Sequence, residues 1–205
     1  MKRLMCYFLL ILSLACNKEE KFDKYFYDGA YPRNMDGSII KTYEPKAVGG
    51  EVEAEFNGHV WNHAPFMVVS AFVTLSPTTN EKLISVIISP YLTYQGVGES
   101  CTFESFTFKI PLTTEKVLLN EYTKAELHEY NLVSFRSINC DAIKDDYKLD
   151  RERTNWAFVR TYDPVTKVVQ VEFDAGFKIS SRNSNFGPIY PEHVNVRGKA
   201  KINFK

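Results

Sequence analysis

Away from its first twenty residues, the chain has no apolar run approaching the ~20 residues of a membrane-spanning helix. It also lacks net charge, with 25 basic and 25 acidic side chains among 205 residues. That balance excludes the clustered positive surface by which proteins neutralise nucleic-acid phosphates, so no nucleic-acid partner is expected. The signatures of familiar chemistry are missing too: no G-x-S-x-G elbow, no H-E-x-x-H helix and no G-x-x-x-x-G-K phosphate loop occurs. No segment repeats at a fixed period, which argues against a propeller or solenoid. Cysteine is scarce, with four in the whole chain.

What is present begins at the N-terminus. Lys2 and Arg3 form a short basic region, Leu4 to Leu14 form an apolar run too short to cross a bilayer, and the small Ala15 precedes Cys16. The pattern is that of a lipoprotein export signal over residues 1–15, cleaved to leave Cys16 as an acylated N-terminus. At ~0.8 kcal/mol per buried methylene, two or more acyl chains hold a protein stably on a membrane. The lipid is therefore the expected membrane contact. Cleavage removes Lys2 and Arg3 and leaves a small acidic excess. Cys6 departs with the signal and Cys16 is consumed, so Cys101 and Cys140 remain in an oxidising compartment as the one possible disulfide pair. Bridging them closes a loop of about 40 residues, worth roughly 4 kcal/mol in the chain-entropy treatment. Two separate buried thiols are the alternative.

Residues 16–50 read as a lipidated tether, with Tyr25, Tyr27, Tyr31 and Tyr43 scattered among Gly29, Pro32, Gly37 and Pro45. As a flexible coil the tether spans roughly 30 Å, although its tyrosines and Ile39-Ile40 offer groups that could dock on the domain instead. From residue 51 the apolar period becomes two, the mark of a strand. Glu51 to Phe56 alternates, Asn57-Gly58 supplies residues that tolerate the positive φ of a tight hairpin turn, and Val60-Trp61 begins the return. Further strands are expected at 66–75, 83–91, 102–110, 131–138, 154–162, 167–174 and 176–181. The closing strand sets Val194, Val196, Ala200, Ile202 and Phe204 against Asn195, Arg197, Lys199, Lys201 and Asn203. One short helix is expected at 120–130, from the capping pattern Thr123-Lys-Ala-Glu126. The expected fold over 51–205 is thus all-β: a single antiparallel sandwich or barrel of about ten strands.

At this point the residues resemble a family of Bacteroidota lipoprotein domains of unknown function. The resemblance lies in Leu14-Ala15-Cys16, the hairpin Phe56-Asn57-Gly58-His59-Val60-Trp61, a late hairpin around Tyr162-Asp163 and Val169-Gln-Val-Glu-Phe173, and Arg197-Gly198-Lys199. It covers roughly 51–204. Ser13 departs from the leucine usual three places before the lipobox cysteine. The run Lys18-Glu19-Glu20 looks like the signal that sends such lipoproteins to the outer face of the outer membrane. The resemblance brings no catalytic residue with it.

Among residues that carry chemistry, His59 and His63 are four apart, but a zinc site needs three or four ligands and none stands at the required spacing. The acidic group Asp141, Asp145, Asp146, Asp150 and Glu152 suggests calcium. Yet no glycine holds the turn position of a calcium loop, and Lys144, Lys148, Arg151 and Arg153 interleave, so a solvated, self-neutralised loop is the expectation. No metal or cofactor is implied. Tyr91, Tyr94 and Tyr190 sit at loop positions suited to ligand contact, whereas Trp61 and Trp156 fall in strands and are expected in the core. Together these point to a non-catalytic binding or structural module on the outer membrane or cell surface, meeting a glycan, a peptide or a partner outer-membrane protein. A lipocalin-like carrier or a carboxylate-based hydrolase is the alternative.

Cys16→Ala is expected to stall processing or to release the protein from the membrane. Fractionation of the variant with outer membrane at the wild-type level would refute lipidation.

Overall fold

The computed structural model describes residues 43–62, 64–76, 79–91, 104–121, 133–139, 142–182 and 191–204. Cys16, Cys101, Cys140, Tyr94 and Tyr190 lie outside these residues, as do His63, Asp141 and most of the helix expected at 120–130. Twelve strands form one sheet: β1 (Lys46–Val48), β2 (Gly50–Phe56), β3 (His59–Val60), β4 (Phe66–Leu75), β5 (Lys82–Tyr91), β6 (Glu104–Pro111), β7 (Val117–Leu118), β8 (Val133–Asn139), β9 (Ala142–Leu149), β10 (Trp156–Asp163), β11 (Val168–Arg182) and β12 (His193–Asn203). The hydrogen-bonded order is β1-β4-β5-β6-β8-β9-β11-β12-β2-β3, with β10 on β11 and β7 on β10. The fold is all-β, and the sheet is not closed into a barrel.

Local sequence explains the turns. Asn57 and Gly58 both take positive φ, 49° and 78°, which is the backbone that matches the twist of a two-residue hairpin. At the β10–β11 turn, Asp163 Oδ1 accepts from the amides of Val165 and Thr166 at 2.8 and 3.2 Å, and Thr166 donates its hydroxyl to Oδ2 at 2.6 Å. These bonds favour the ionised carboxyl and hold Asp163 below its usual pKa.

Four differences from the sequence reading have physical causes. The stretch containing Asp145 and Asp146 is strand β9 rather than a solvated loop, because Asp145 occupies an inward position and is paired there. Residues 167–174 and 176–181 are one strand of 15 residues. It runs through Gly176, where a Cβ would meet Arg153 side-chain atoms at 2.3 Å. The sheet is mixed rather than purely antiparallel, since β1 pairs with β4 in parallel. Trp156 stands half-buried on the outer face of β10 instead of in the core.

The sheet folds over so that β6 meets β11 and β8 meets β2 across the core, while β4 approaches β2 and β12. Phenylalanine rings fill the space between: Phe106 and Phe108 lie 5.1 and 5.6 Å from Phe173, and Phe56 lies 5.4 Å from Phe135. Such tilted ring pairs add to the area they bury.

The fold turns at Gly49-Gly50. β1 runs along β4, but the next residues belong to β2 on β12, so the chain leaves one layer and joins the other within a single residue. A Cβ on Gly49 would stand 2.1 Å from Val69 O, and one on Gly50 would stand 2.1 Å from Lys201 O. Gly49 also has φ +83°, a conformation that L side chains avoid. Its carbonyl accepts from the Asn203 amide at 2.8 Å. Gly49→Ala is expected to destabilise the protein by about 2 kcal/mol or more, combining strain with a backbone clash. Gly58→Ala, with similar φ and nothing within 4 Å of its Cβ, should cost about 1 kcal/mol. Denaturant unfolding of the two variants separates the effects.

Candidate functional site

Two polar constellations stand out, one inside the sheet and one outside. Inside, Glu104, Asp145 and Arg182 lie on one backbone register row that crosses β6, β8, β9 and β11. Alternation alone would not aim Arg182 inward. Between Ile179 and Ser181 the register with β9 shifts by one residue, and such a bulge moves the following side chains to the other face. Arg182 thereby meets Asp145 at 3.4 Å, the carboxylate being 1 % exposed. Glu104, fully buried, accepts a hydrogen bond from the Trp61 indole N–H. Beside them, Tyr147 donates its hydroxyl to Pro191 O at 2.8 Å. Burial, then the Asp145 charge, pushes the Tyr147 pKa well above its ordinary 10.0, while Arg182 opposes the shift.

Charge pairing disperses the acidic residues that suggested calcium. Asp146 pairs with Arg136 at 2.9 Å, and Lys178 reaches Asp150 at 3.4 Å and Glu152 at 2.6 Å. The hydrogen bond from Lys178 to Glu152 raises the lysine pKa. The neutralising cations thus include Arg136 and Lys178 on neighbouring strands. Arg153 pairs with Asp174 at 2.6 Å.

Outside, cross-strand register builds a ladder of opposite charges. Glu51, Glu53 and Glu55 on β2 lie opposite Lys201, Lys199 and Arg197 on β12. On the other side of β12, Gln170, Glu172 and Asp174 of β11 face the same three cations. Lys199 meets Glu53 at 2.8 Å, and Arg160 on β10 meets Glu172 at 2.6 Å. Exposed pairs of this kind contribute only about 0–1 kcal/mol each to stability, so their main effect is to fix orientation and local charge.

At the β2 side this ladder runs into a groove of about 990 Å³. The groove arises where β1 diverges from β2 after the Gly49-Gly50 turn. Tyr43, Pro45, Ala47 and Met67 line one part, the half-buried Val52 and Ala54 another, and Trp61 and Asn62 a third. Glu53, Glu55, Val60, Glu172, Arg197, Lys199 and Trp156 also line it. Asn62 Oδ1 is shielded from solvent and has no hydrogen-bond partner, and the Tyr43 amide holds Asn62 O at 2.9 Å. Trp156 has Phe158 at 5.9 Å and the Lys116 ammonium 4.0 Å from its ring centre. Arg197 enters no ion pair among the described residues. Glu104 and Asp145 do not line the groove.

Of the residues expected to contact a ligand, Tyr91 is half-buried at the end of β5, beside Phe66 in the adjacent strand. Tyr94 and Tyr190 fall outside the described residues. His59 and His193 are exposed on β3 and β12. Among the described residues, no three His, Cys, Asp or Glu side chains are grouped to hold a metal ion. Sequence reasoning missed the groove residues Trp156, Arg197 and Asn62. The acid–base alternation of β2 and β12 was the one signal that pointed toward them. Comparison with protein-family models, with curated proteins and with solved structures finds no match.

Tyr147 gives the protein an alkaline limit. Its pKa is raised on folding, so the stability it contributes is present in full below about pH 10 and is lost as pH rises from there toward the native value. Tyr147→Phe is expected to flatten the loss of stability above pH 10, even though it forfeits the bond to Pro191 O. An unchanged alkaline slope in denaturant titrations would contradict this.

Proposed function

We propose that this is a lipid-anchored outer-membrane or surface lipoprotein, of the kind its Bacteroidota resemblance implies, whose β domain binds a glycan in the groove between β1 and β2. The observation that carries the reading is the composition of that groove. The Asn62 Oδ1 acceptor lacks a partner, Glu55 and Arg197 are free of ion pairs among the described residues, and the half-buried Trp156 stands at the groove's far side. Sugar hydroxyls donate to carboxylates and amide oxygens and accept from a guanidinium, and an indole offers an apolar surface to a sugar ring. Ionised Glu53 and Glu172 retain acceptor capacity beyond their salt bridges.

One feature favours a second ligand class. β3 pairs with β2 only at Glu55 and Phe56, and Trp61 N–H extends the contact to Ala54 O. The first half of β2 therefore offers an edge along the groove that an extended peptide can join.

The Cys101–Cys140 disulfide belongs to the same reading. An exported domain folds in an oxidising compartment, where these two cysteines are the pair left to join. Mass spectrometry of the non-reduced mature protein should find no alkylatable thiol. Its reduction should lower stability by about 2–4 kcal/mol.

The binding test uses the detergent-solubilised mature protein on an array of bacterial and host oligosaccharides. Trp156→Ala and Arg197→Ala are each expected to weaken the best binder about ten- to a hundredfold while leaving the circular-dichroism melt in place. Absence of any glycan binder, with binding of extended peptides, would replace the glycan reading by the peptide one. Wild-type affinity in both variants would remove the groove from consideration.

A further inference from the structure

The second half of β4 is an open sheet edge. β4 is hydrogen-bonded to β5 along its whole length, from Phe66↔Tyr91 to Leu75↔Lys82, but β1 covers its other side only from Phe66 to Val68. Among the described residues no strand pairs with that side from Ser70 to Leu75, and none of these residues has a further hydrogen bond.

Alternation fixes which groups are open. Pro65 O accepts from Lys46 N at 2.8 Å, and Val69 O is the atom nearest the Gly49 Cβ position. Odd-numbered residues of β4 therefore turn their peptide groups toward the β1 side. Past Val69 those of Ala71, Val73 and Leu75 face outward, with no strand among the described residues to meet them.

Natural edges are usually guarded by lysine, proline, inward charges or bulges. From Phe66 to Leu75 the sequence is Phe-Met-Val-Val-Ser-Ala-Phe-Val-Thr-Leu, with no charge and no proline, and its register with β5 is unbroken. Phe72 is 42 % and Leu75 59 % exposed. Thr74 Oγ1 is shielded yet has no hydrogen-bond partner. The contrast with β10 is plain, because β7 and the Thr113 carbonyl cover its edge.

We infer that this edge pairs with the same edge of a second copy of the chain, antiparallel about a two-fold axis through Val73. Opposed residues in an antiparallel pair share a face, so only even-sum registers are allowed. The register with Val73 opposite itself uses every open group, pairing Ala71 with Leu75 of the second copy and Leu75 with its Ala71. Phe72 then lies across from Thr74 of the second copy on the outer face. An uncharged strand meets its own copy without like-charge repulsion, which is the argument for self-pairing over a charged partner. Gly49 bounds the window at one end and the β4–β5 turn at the other, so five residues of each chain fit.

Analytical ultracentrifugation of the full mature chain in detergent, over a concentration series, tests the pairing. The wild type is expected to show a monomer–dimer equilibrium, and Phe72→Lys to weaken it on the order of tenfold or more with an unchanged melt. Val73→Pro removes an amide that the β4–β5 ladder does not use, and it too should yield a folded monomer. A wild type that is monomeric at its highest soluble concentration would overturn the inference. So would a dimer that survives both substitutions.

Discussion

The turn at Gly49-Gly50 is the constraint on which the rest of the structure depends. There one peptide unit passes from the edge of β4 to the edge of β12, with Val69 O on one side and Lys201 O on the other, both closer than any side chain allows. The passage ties the two ends of a long strand path together without a closing ladder. What results is a folded sheet with a seam rather than a barrel. Both functional features proposed here lie along that seam: the groove opens where β1 and β2 part, and β4 loses its cover where β1 departs.

Behind the seam, the two layers are held by rings and by a few buried charges. The phenylalanine cluster supplies apolar area without polar obligations. Glu104 and Asp145 do carry obligations: the Trp61 indole N–H donates to Glu104, and the Arg182 guanidinium lies 3.4 Å from Asp145, both partners far along the chain. Removing one partner from such an arrangement leaves a buried charge without compensation, a loss that typically costs several kcal/mol. These groups therefore fix how the layers match, whereas the exposed ladder on β2, β12 and β11 sets the charge pattern that a ligand meets.

Much of the fold was legible in local sequence. The Asn57-Gly58 hairpin, the extent of β4 and the alternation of β12 follow from residue-scale rules, and the structure reproduces them. β9 was not legible, because its inward Asp145 breaks the apolar period and its register with β8 shifts between Ser137 and Ile138. Arg182 and Glu104 escaped for the same reason: a charge is placed inward by a bulge or by a partner that no short window contains. Trp156 was misread because large apolar residues usually mark a core, and only the register with β11 shows that it shares a face with Asp174 and Arg197. The groove depends on which strands become neighbours, and spacing along the chain does not carry that information.

Residue-resolved amide hydrogen exchange on dilute mature protein tests the seam most directly. The amides of Lys46 and Asn203, bonded to Pro65 O and Gly49 O, should exchange slowly. Along β4 the even-numbered amides from Ser70 to Thr74 should be protected, and those of Ala71, Val73 and Leu75 should exchange freely. Fast exchange at Lys46 and Asn203, or uniform protection through β4 in the dilute protein, would contradict a sheet that turns at Gly49 and leaves that edge open.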